Sequence, residues 1–293
     1  MLGECHGHII LDGIDFKKAI AAHRERPDET LIRNRLQQYK ANGILFFRDG
    51  GDNLGVSERA AQIAPEYGID YLTPIFAIHR KGCYGAIVGR SFETIADFAL
   101  LVEELKSKKA DFVKIMISGI MDFGQFGVIS EGALTLAQIS EIVHISHSEG
   151  FSVMAHVNGA VNIRNALAAG VDSIEHGCYM DDIAIDMLVN SETVWVPTAA
   201  AICNVANDPK QRFDPKNAAK IADAHLVNIG RAVSRGAKMA AGSDAGAYLV
   251  PHCDGLRDEI TYFKEIIKND LFCLQLLEKG ETIIKEKFRR YHG

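Results

Sequence analysis

Two histidines near the amino terminus have a spacing that suits metal binding. His6 and His8 are separated only by Gly7. Side chains at positions i and i+2 of a strand point to the same side, so both imidazoles can reach one metal ion, and the glycine lets the backbone come close. The pattern is common by itself, and the alternative is a pair of surface histidines near a terminus.

Two further histidines close apolar strands later in the chain. His156 follows the apolar segment Phe151–Ala155, and His176 ends a segment that begins at Ser173. A single histidine at a strand end is more often part of the core or the rim. Two of them in successive strands favour a metal site instead, because neutral imidazole is the commonest metal ligand among side chains.

Asp244 ends the last predicted strand, among small residues that leave little bulk around its carboxylate. Its simple alternative role is a helix N-cap, which aspartate fills well. In a closed barrel, however, the eighth strand neighbours the first, and Asp244 would then lie near His6 and His8.

Lys114 lies within the apolar segment Asp111–Gly119. An unpaired buried ammonium is costly, and the simple alternative is a side chain that extends to the rim. A lysine at the barrel mouth can instead bridge two metal ions if CO2 converts its amine to a carbamate, which supplies two anionic oxygens.

Eight apolar strands alternating with amphipathic helices are predicted to position these residues. The connections are too long for hairpins, so the sheet is parallel, and eight units fit a closed barrel better than an open sheet. We predict an α/β fold, a (β/α)8 TIM barrel over residues 1–270, with 271–293 as a C-terminal helical extension of the same domain. The predicted strands are Met1–His6, Ile44–Asp49, Tyr71–Ile78, Phe112–Ser118, Ser152–His156, Ser173–His176, Val194–Thr198 and Lys238–Ser243. The predicted helices are Glu29–Asn42, Gly55–Tyr67, Ser91–Ser107, Thr135–Glu149, Gly159–Ala169, Asp181–Asn190, Lys216–Arg235 and Leu256–Lys268, followed by helical structure over Asp270–Tyr291.

The longest predicted loops follow the fourth, seventh and eighth strands, at Gly119–Ala133, Ala199–Pro215 and Ala245–Asp254. All three would lie on the C-terminal face, where barrel enzymes have their active sites. The metal-binding candidates end their strands on the same face.

Composition and charge narrow the function classes. The chain has 293 residues, of which 47% are hydrophobic and 24% charged, as in an ordinary globular enzyme. The net charge of −6 argues against a nucleic-acid partner. The six cysteines are widely spaced and are expected to be reduced thiols. No apolar run is long enough for a membrane span, and no signal peptide is evident, so we expect a cytoplasmic enzyme.

The order of these residues resembles the amidohydrolase superfamily, in its binuclear metal-dependent branch. The local motifs resemble the prolidase-like and Xaa-Arg/Lys carboxypeptidase-like peptidases, over nearly the whole chain up to about Phe263. One motif is a partial match, because the family more often has valine where Phe47 stands. The matching segments are Phe47–Gly51, Val113–Gly119, Ala155–Gly159, Ala166–Gly177 and Gly242–Gly246, with Pro251, His252 and Glu259 after them.

The resemblance implies a ligand set for two divalent metal ions. His6, His8 and Asp244 would hold the more buried ion, His156 and His176 the more exposed one, and carbamylated Lys114 would bridge both. Zinc suits this mixed set of ligands, and manganese or iron is the alternative. The two ions would share a hydroxide that attacks the substrate, while Asp244 passes its proton to the leaving amine.

The chain departs from the family in two places. Relatives carry a histidine after the third strand that contacts the substrate carbonyl. Here Tyr84 stands in that place, so either Tyr84 or His79 is expected to stabilise the oxyanion. Most relatives also build a small β-sandwich from both termini, which this chain is expected to lack. C-terminal helices or a second subunit of a homo-oligomer would then cover the barrel bottom.

The expected function is hydrolysis of an amide or peptide-like C–N bond in a small molecule, either a dipeptide or an N-acyl amino acid. One alternative is a cyclic-amide hydrolase resembling imidazolonepropionase, although such relatives lack the strand-four lysine. The other alternative is a non-catalytic metal-binding barrel. Arg48, Arg80 and Arg90 are each candidates for binding a substrate carboxylate or for structural ion pairs.

Overall fold

Nine short strands form the centre of the structure, a computed structural model that describes residues 2–130 and 132–290. All the pairings between these strands are parallel. The strands are β1 (Glu4–Gly7), β2 (Phe46–Asp49), β3 (Asp70–Leu72), β4 (Ala77–Arg80), β5 (Gly89–Phe92), β6 (Val113–Met116), β7 (Val153–Val157), β8 (Ser173–His176) and β9 (Val194–Val196).

Helices follow most of the strands and pack around them. They are α1 (Phe16–Ala22), α2 (Glu29–Ala41), α3 (Val56–Ile63), α4 (Ile95–Ser107), α5 (Leu136–Ser148), α6 (Ala160–Ala169), α7 (Asp182–Val189), α8 (Ala199–Ala206), α9 (Pro215–Ser234), α10 (Asp254–Ile267) and α11 (Asp270–Phe288), with a 3-10 turn at Ala64–Tyr67. Within the described residues, no helix is both long enough and apolar enough to cross a bilayer. The six cysteines are all free thiols, as expected.

The strands follow one another around a ring. One sheet has the order β1-β2-β3, and the other has the order β5-β4-β6-β7-β8-β9. Residues 238–245 connect the two, since they form isolated parallel bridges with Trp195 of β9 and Gly7 of β1. Backbone hydrogen bonds support both bridges: Trp195 N donates to Lys238 O (2.9 Å) and Cys5 N donates to Ala241 O (3.0 Å). The predicted α/β barrel class is confirmed. Residues 238–245, which include most of the last predicted strand, pair with β9 and β1 through single bridges instead of a continuous ladder.

The third predicted strand, Tyr71–Ile78, is divided in the structure. It forms β3 and β4, separated by a break that contains Pro74 and Ile75. Proline has no N–H to donate to a ladder, and Ile75 has φ of 64°, a left-handed conformation that interrupts a strand. The predicted helix Ser91–Ser107 also begins late, because its first residues belong to β5, a strand that pairs with β4.

Helix α11 covers the end of the barrel at which the strands begin. Its Ile284 and Phe288 are buried in a cluster with the first residues of several strands, including Phe46 and Val194. The helix approaches residues 238–245 so closely that a Cβ added at Gly280 would lie 1.8 Å from Met239 O. A C-terminal helix therefore closes this end, one of the two covers expected from the sequence. Tyr291, the end of the predicted helical segment, lies outside the described residues.

Candidate metal centre

Four imidazole rings meet at the opposite end of the barrel, where the strands finish. The centroids of the His6 and His8 rings are 5.6 Å apart, and those of His6 and His176 are 5.0 Å apart. The His176 ring lies 4.6 Å from that of His156, which in turn lies 4.9 Å from the Tyr84 ring. The fold thus brings together residues from β1, β7 and β8 that are up to 170 residues apart in sequence (176 minus 6).

Asp244 joins His6 and His8 in the tightest group of this cluster. Its Oδ1 lies 3.6 Å from His6 Nε2 and 3.5 Å from His8 Nε2. One potential ligand atom from each of the three residues lies within 4.8 Å of the other two. Asp244 N also donates to His6 O (2.8 Å), so the pairing of residues 238–245 with β1 sets this geometry.

An unpartnered nitrogen at the cluster fits a bound cation. His6 Nε2 is buried and has no hydrogen-bond partner among the described residues, and in a neutral ring its lone pair can face a metal ion. An unsatisfied buried polar atom is costly, so a native protein normally supplies it with a partner. Nitrogen and carboxylate ligands in this number suit zinc and similar divalent ions. The residues present therefore fit a metal site.

Burial sets the protonation of the cluster. Burial, together with the charge of the Lys114 ammonium, lowers the pKa of His8 and that of His156 to about 3 each. Neutral imidazoles have a lone pair available for a metal ion. Burial also lowers the pKa of Lys114 to about 8 and raises that of Asp244 to about 6. The lysine amine is consequently closer to its neutral form, the form that can react with CO2.

Beneath the histidines, a buried carboxylate orients His6. Glu175 Oε2 accepts a hydrogen bond from His6 Nδ1 (2.7 Å), which leaves Nε2 to face Asp244. Arg48 donates to both oxygens of Glu175 (2.9 and 3.0 Å), and Ser173 Oγ donates to Oε1. His176 is held similarly, since its Nδ1 lies 2.7 Å from Thr198 Oγ1. Such partners fix the tautomer and ring orientation of metal ligands.

Backbone geometry and close packing also shape the centre. His176 and Asp244 both have positive φ, of 65° and 62°, so each strand ends in a sharp turn that directs the side chain into the cluster. Gly50 is required beside His8, because an added Cβ would lie 2.2 Å from His8 Cε1. The Nε2 of His156 lies 3.2 Å from Gly119 O, in the loop after β6.

A cavity of about 190 Å³ opens onto the cluster, and we call it the reaction cavity. It exposes one face each of His156, His176 and Asp244. Its remaining walls are mostly apolar and are formed by Tyr84, Ile120, Met121, Phe123, Asn158, Ala201, Ile202, Val205, Phe213, Ala247 and Tyr248. Space of this size and character suits a small substrate with an apolar side chain.

The two candidates for contact with the substrate carbonyl lie in different places. Tyr84 is on the wall of the reaction cavity, facing His156. His79 is buried behind Gly85, where an added Cβ would lie 2.7 Å from His79 Cβ, and its Nδ1 lies 2.9 Å from Arg80 O. His252, which belongs to the segments that resemble the family, has both ring nitrogens in hydrogen bonds, with Tyr39 Oη and Leu11 O.

The arginines considered as candidates for binding a substrate carboxylate already have protein partners. Arg48 is fully buried and bound to Glu175, so it has no access to the reaction cavity and that candidate role is wrong. Arg90 pairs with Glu104 (2.6 Å) and lies over the Phe76 ring. Arg80 Nε donates to Cys83 Sγ (3.3 Å).

Sequence reasoning did not single out Glu175 or Thr198, which hold two of the histidines. For Glu175 a signal exists: Ser173 and Glu175 alternate with apolar Ile174, so two polar side chains face the barrel interior. For Thr198 the sequence carries no such signal. Its φ of 51° and its contact with His176 depend on how α8 follows β9.

Comparison with protein families gives one match, which covers most of the chain. A sequence profile described as "Amidohydrolase family" matches residues 54–286. An uncharacterised protein of Mycobacterium bovis is 31% identical over 110 residues, which are 36% of this chain and 30% of that protein. Uncharacterised proteins of Mycobacterium tuberculosis match to the same extent. The matched part thus spans less than a third of the length of these relatives.

Solved structures with similar folds cover nearly the whole chain. A Xaa-Pro dipeptidase with bound methionine in the active site has a TM-score of 0.73 at 20% identity, covering 98% of this chain and 75% of that one. A prolidase complexed with N-methylphosphonate-L-proline has a TM-score of 0.77 at 20% identity, covering 98% and 74%. The ochratoxinase of A. niger has a TM-score of 0.75 at 19% identity, covering 96% and 70%. At these identities the likeness establishes the fold.

Proposed function

Because the chain belongs to the amidohydrolase family, we propose that it hydrolyses an amide or peptide-like C–N bond in a small substrate, either a dipeptide or an N-acyl amino acid. The observation that carries this proposal is the convergence of His6, His8 and Asp244 on one point beside the reaction cavity. Similar folds in a Xaa-Pro dipeptidase and a prolidase support a peptide-like substrate.

Two divalent metal ions, with zinc the best match to the ligand types, would be held by this cluster. His6, His8 and Asp244 would hold one ion and His156 and His176 the other, with a carbamate on Lys114 between them. The buried Lys114 amine forms that carbamate by adding CO2 and releasing a proton. When bound, the ions would polarise the scissile carbonyl and lower the pKa of a water molecule.

The side chains of the chain itself would orient the substrate and move protons. Asp244, with 18% of its side chain exposed to the cavity, is placed to accept a proton and deliver it to the leaving amine. Tyr84, on the cavity wall, is placed to donate a hydrogen bond to the carbonyl oxygen as charge develops there. The apolar wall excludes water from the substrate side chain.

The proposal is tested by combining metal analysis with a substrate screen. Protein purified without chelators should approach two divalent ions per chain by elemental analysis, and it should hydrolyse members of a dipeptide and N-acyl amino acid library. Asp244→Asn keeps the size but removes the base, so turnover should fall by roughly 10²–10⁴-fold.

Two results would contradict the proposal. If reconstituted protein never binds more than one ion, the cyclic-amide hydrolase alternative is favoured. If the fully loaded protein hydrolyses no amide in the library, the non-catalytic alternative is favoured.

A further inference from the structure

A second groove adjoins the reaction cavity and carries positive charge. It has a volume of about 380 Å³ and shares Ala247 and Tyr248 with the reaction cavity. We call it the outer groove. Its lining includes three cationic side chains, those of Lys17, Lys210 and Arg212. The acid in the lining, Asp15, is already engaged, because its Oδ1 caps the first turn of α1.

The exposed side chain of Arg212 lies against two aromatic rings at the boundary of the two cavities. Its guanidinium lies over the Tyr248 ring, 4.9 Å from the centroid, and 5.6 Å from the centroid of the Phe213 ring. Both rings also form the wall of the reaction cavity. Stacking on an aromatic face orients the planar guanidinium and leaves its N–H donors directed outward from its edges.

The loop that carries Arg212 is fixed by a buried acid. Asp208 Oδ2 accepts hydrogen bonds from Arg212 N (3.0 Å) and Tyr248 Oη (3.2 Å), and Asp208 Oδ1 accepts one from Lys210 N (2.8 Å). Because the bonds from Lys210 and Arg212 use backbone N–H groups, they hold the loop without neutralising the Arg212 side chain through an ion pair.

The guanidinium itself lacks a protein acceptor. Throughout residues 2–130 and 132–290, no hydrogen bond or ion pair engages the side chain of Arg212. Arg48 and Arg90, by contrast, are bound to Glu175 and Glu104. A stacked arginine with open donors, next to a small-molecule cavity, matches the two-pronged geometry of a carboxylate.

We propose that the outer groove binds a carboxylate carried by the substrate beyond its scissile bond, and that Arg212 makes the contact. Lys17 and Lys210 add to the positive field that attracts the anion. This inference rests on the proposed amide hydrolysis. It assigns a residue to the carboxylate that dipeptides and N-acyl amino acids share, and it narrows these substrates to those with an apolar side chain, which the walls around Ile202 and Val205 accommodate.

The test compares an acid with its uncharged amide. N-acetyl-L-leucine and N-acetyl-L-leucinamide differ only in that group, and kcat/KM is measured for both with the wild-type, Arg212→Ala and Arg26→Ala proteins. Arg26 is an exposed arginine that lines neither cavity, so this variant controls for loss of one positive charge. Binding of both compounds is also measured by calorimetry in the Asp244→Asn background, with and without Arg212→Ala.

We expect the wild type and Arg26→Ala to prefer the acid, and Arg212→Ala to lose that preference by roughly 10–100-fold, as loss of a charge-assisted hydrogen bond does. Equal affinity for acid and amide in the wild type, or an unchanged preference in Arg212→Ala, would overturn the inference. If neither compound is hydrolysed but Arg212 still determines tighter binding of the acid, the groove is supported and the proposed hydrolysis of this substrate class fails.

Discussion

At the scale of single residues, Lys114 has the most unusual environment. Its side chain is almost fully buried, its Nζ has no hydrogen-bond partner among the described residues, and burial lowers its pKa to about 8. A positive charge at this point would repel any cation held by His6 and Asp244. With this lowered pKa, a larger fraction of the amine is neutral and able to add CO2 than in an exposed lysine, and carbamate formation and metal binding should depend on each other.

Lys114→Ala is accordingly expected to lose the second metal ion. Its affinity for that ion should fall by more than the roughly 10–100-fold seen when only a supporting residue is removed. Elemental analysis and turnover measure the loss, and acetate or propionate should restore part of both by filling the gap. Lys40→Ala, an exposed site on α2, is the matched control. A Lys114→Ala protein that retains two ions would disprove the bridging role.

Tyr84 provides a second test at this scale. If its hydroxyl stabilises the oxyanion, Tyr84→Phe should raise the activation barrier by roughly 2.7–4 kcal/mol, the usual loss for one such donor. The effect should fall on kcat, because the hydrogen bond strengthens only in the transition state. Steady-state kinetics measures it, with His79→Gln for comparison. Should His79→Gln give the larger loss of kcat, the assignment to Tyr84 is wrong.

At the scale of elements, α8 depends on a residue from α10. Thr198, just before α8, gives no side-chain cap, and its hydroxyl is instead bound to His176. Glu259 supplies the missing partner, since its Oε2 accepts from Ala200 N (2.7 Å). Its other oxygen is buried and has no hydrogen-bond partner within the part of the chain that the structure describes. Burial raises the pKa of Glu259 to about 8. The charges of Glu4 and Asp258 act in the same direction, and backbone hydrogen bonds oppose the shift.

Glu259→Gln should therefore change how stability depends on pH. The carboxyl holds its proton in the folded state up to about pH 8 and loses it near pH 4.5 when unfolded, so the wild type loses stability as pH rises through that window. Glutamine keeps an acceptor for α8 and removes the titration. Denaturant unfolding at pH 5 to 9 should show that the free energy of unfolding of the variant rises relative to that of the wild type as the pH increases to about 8. A pH-independent difference would contradict the raised pKa.

The elements found in the structure also show what the sequence can reveal. The metal-binding candidates were recognisable because His6, His156 and Asp244 each end an apolar strand, which is a local pattern. Helix α8 is missed because its sequence, AAAICNVA, is apolar on most sides and because Thr198, its N-cap residue, reads as the end of the preceding strand. Strand β5 was missed because Gly89–Phe92 is short and contains glycine and arginine.

Contacts between distant elements explain the other differences between the predictions from the sequence and the structure. Arg48 is a candidate substrate clamp by sequence, and only its contacts with Glu175, on a strand that does not neighbour β2, show that it is held inside the barrel. Arg212 lies in a loop that was expected to be long and irregular. Its role depends on Tyr248, 36 residues later (248 minus 212), and no periodic pattern connects the two.

At the scale of the whole molecule, one end of the barrel carries the candidate metal centre and the opposite end is closed. Helix α11 closes the second, with Phe288 fully buried against Phe112, at 5.3 Å between ring centroids. The Arg48 guanidinium lies 4.5 Å from the centroid of the Phe288 ring. Since Arg48 binds Glu175 and Glu175 orients His6, the closed end supports the candidate metal centre from below.

Phe288→Ala tests whether α11 is an integral part of the barrel. Loss of a buried phenylalanine leaves a cavity and should lower the free energy of unfolding by roughly 3–5 kcal/mol. Phe272→Ala is the control, because Phe272 belongs to the same helix but is 46% exposed, and a surface change there should stay within roughly 0.5 kcal/mol. Denaturant unfolding measures both, and Phe288→Leu should recover most of the loss. Folded Phe288→Ala protein should also bind its metal ions more weakly, because the Arg48 guanidinium loses the ring over which it lies. Equal stability of the two alanine variants would mean that α11 packs on the barrel without contributing to its core.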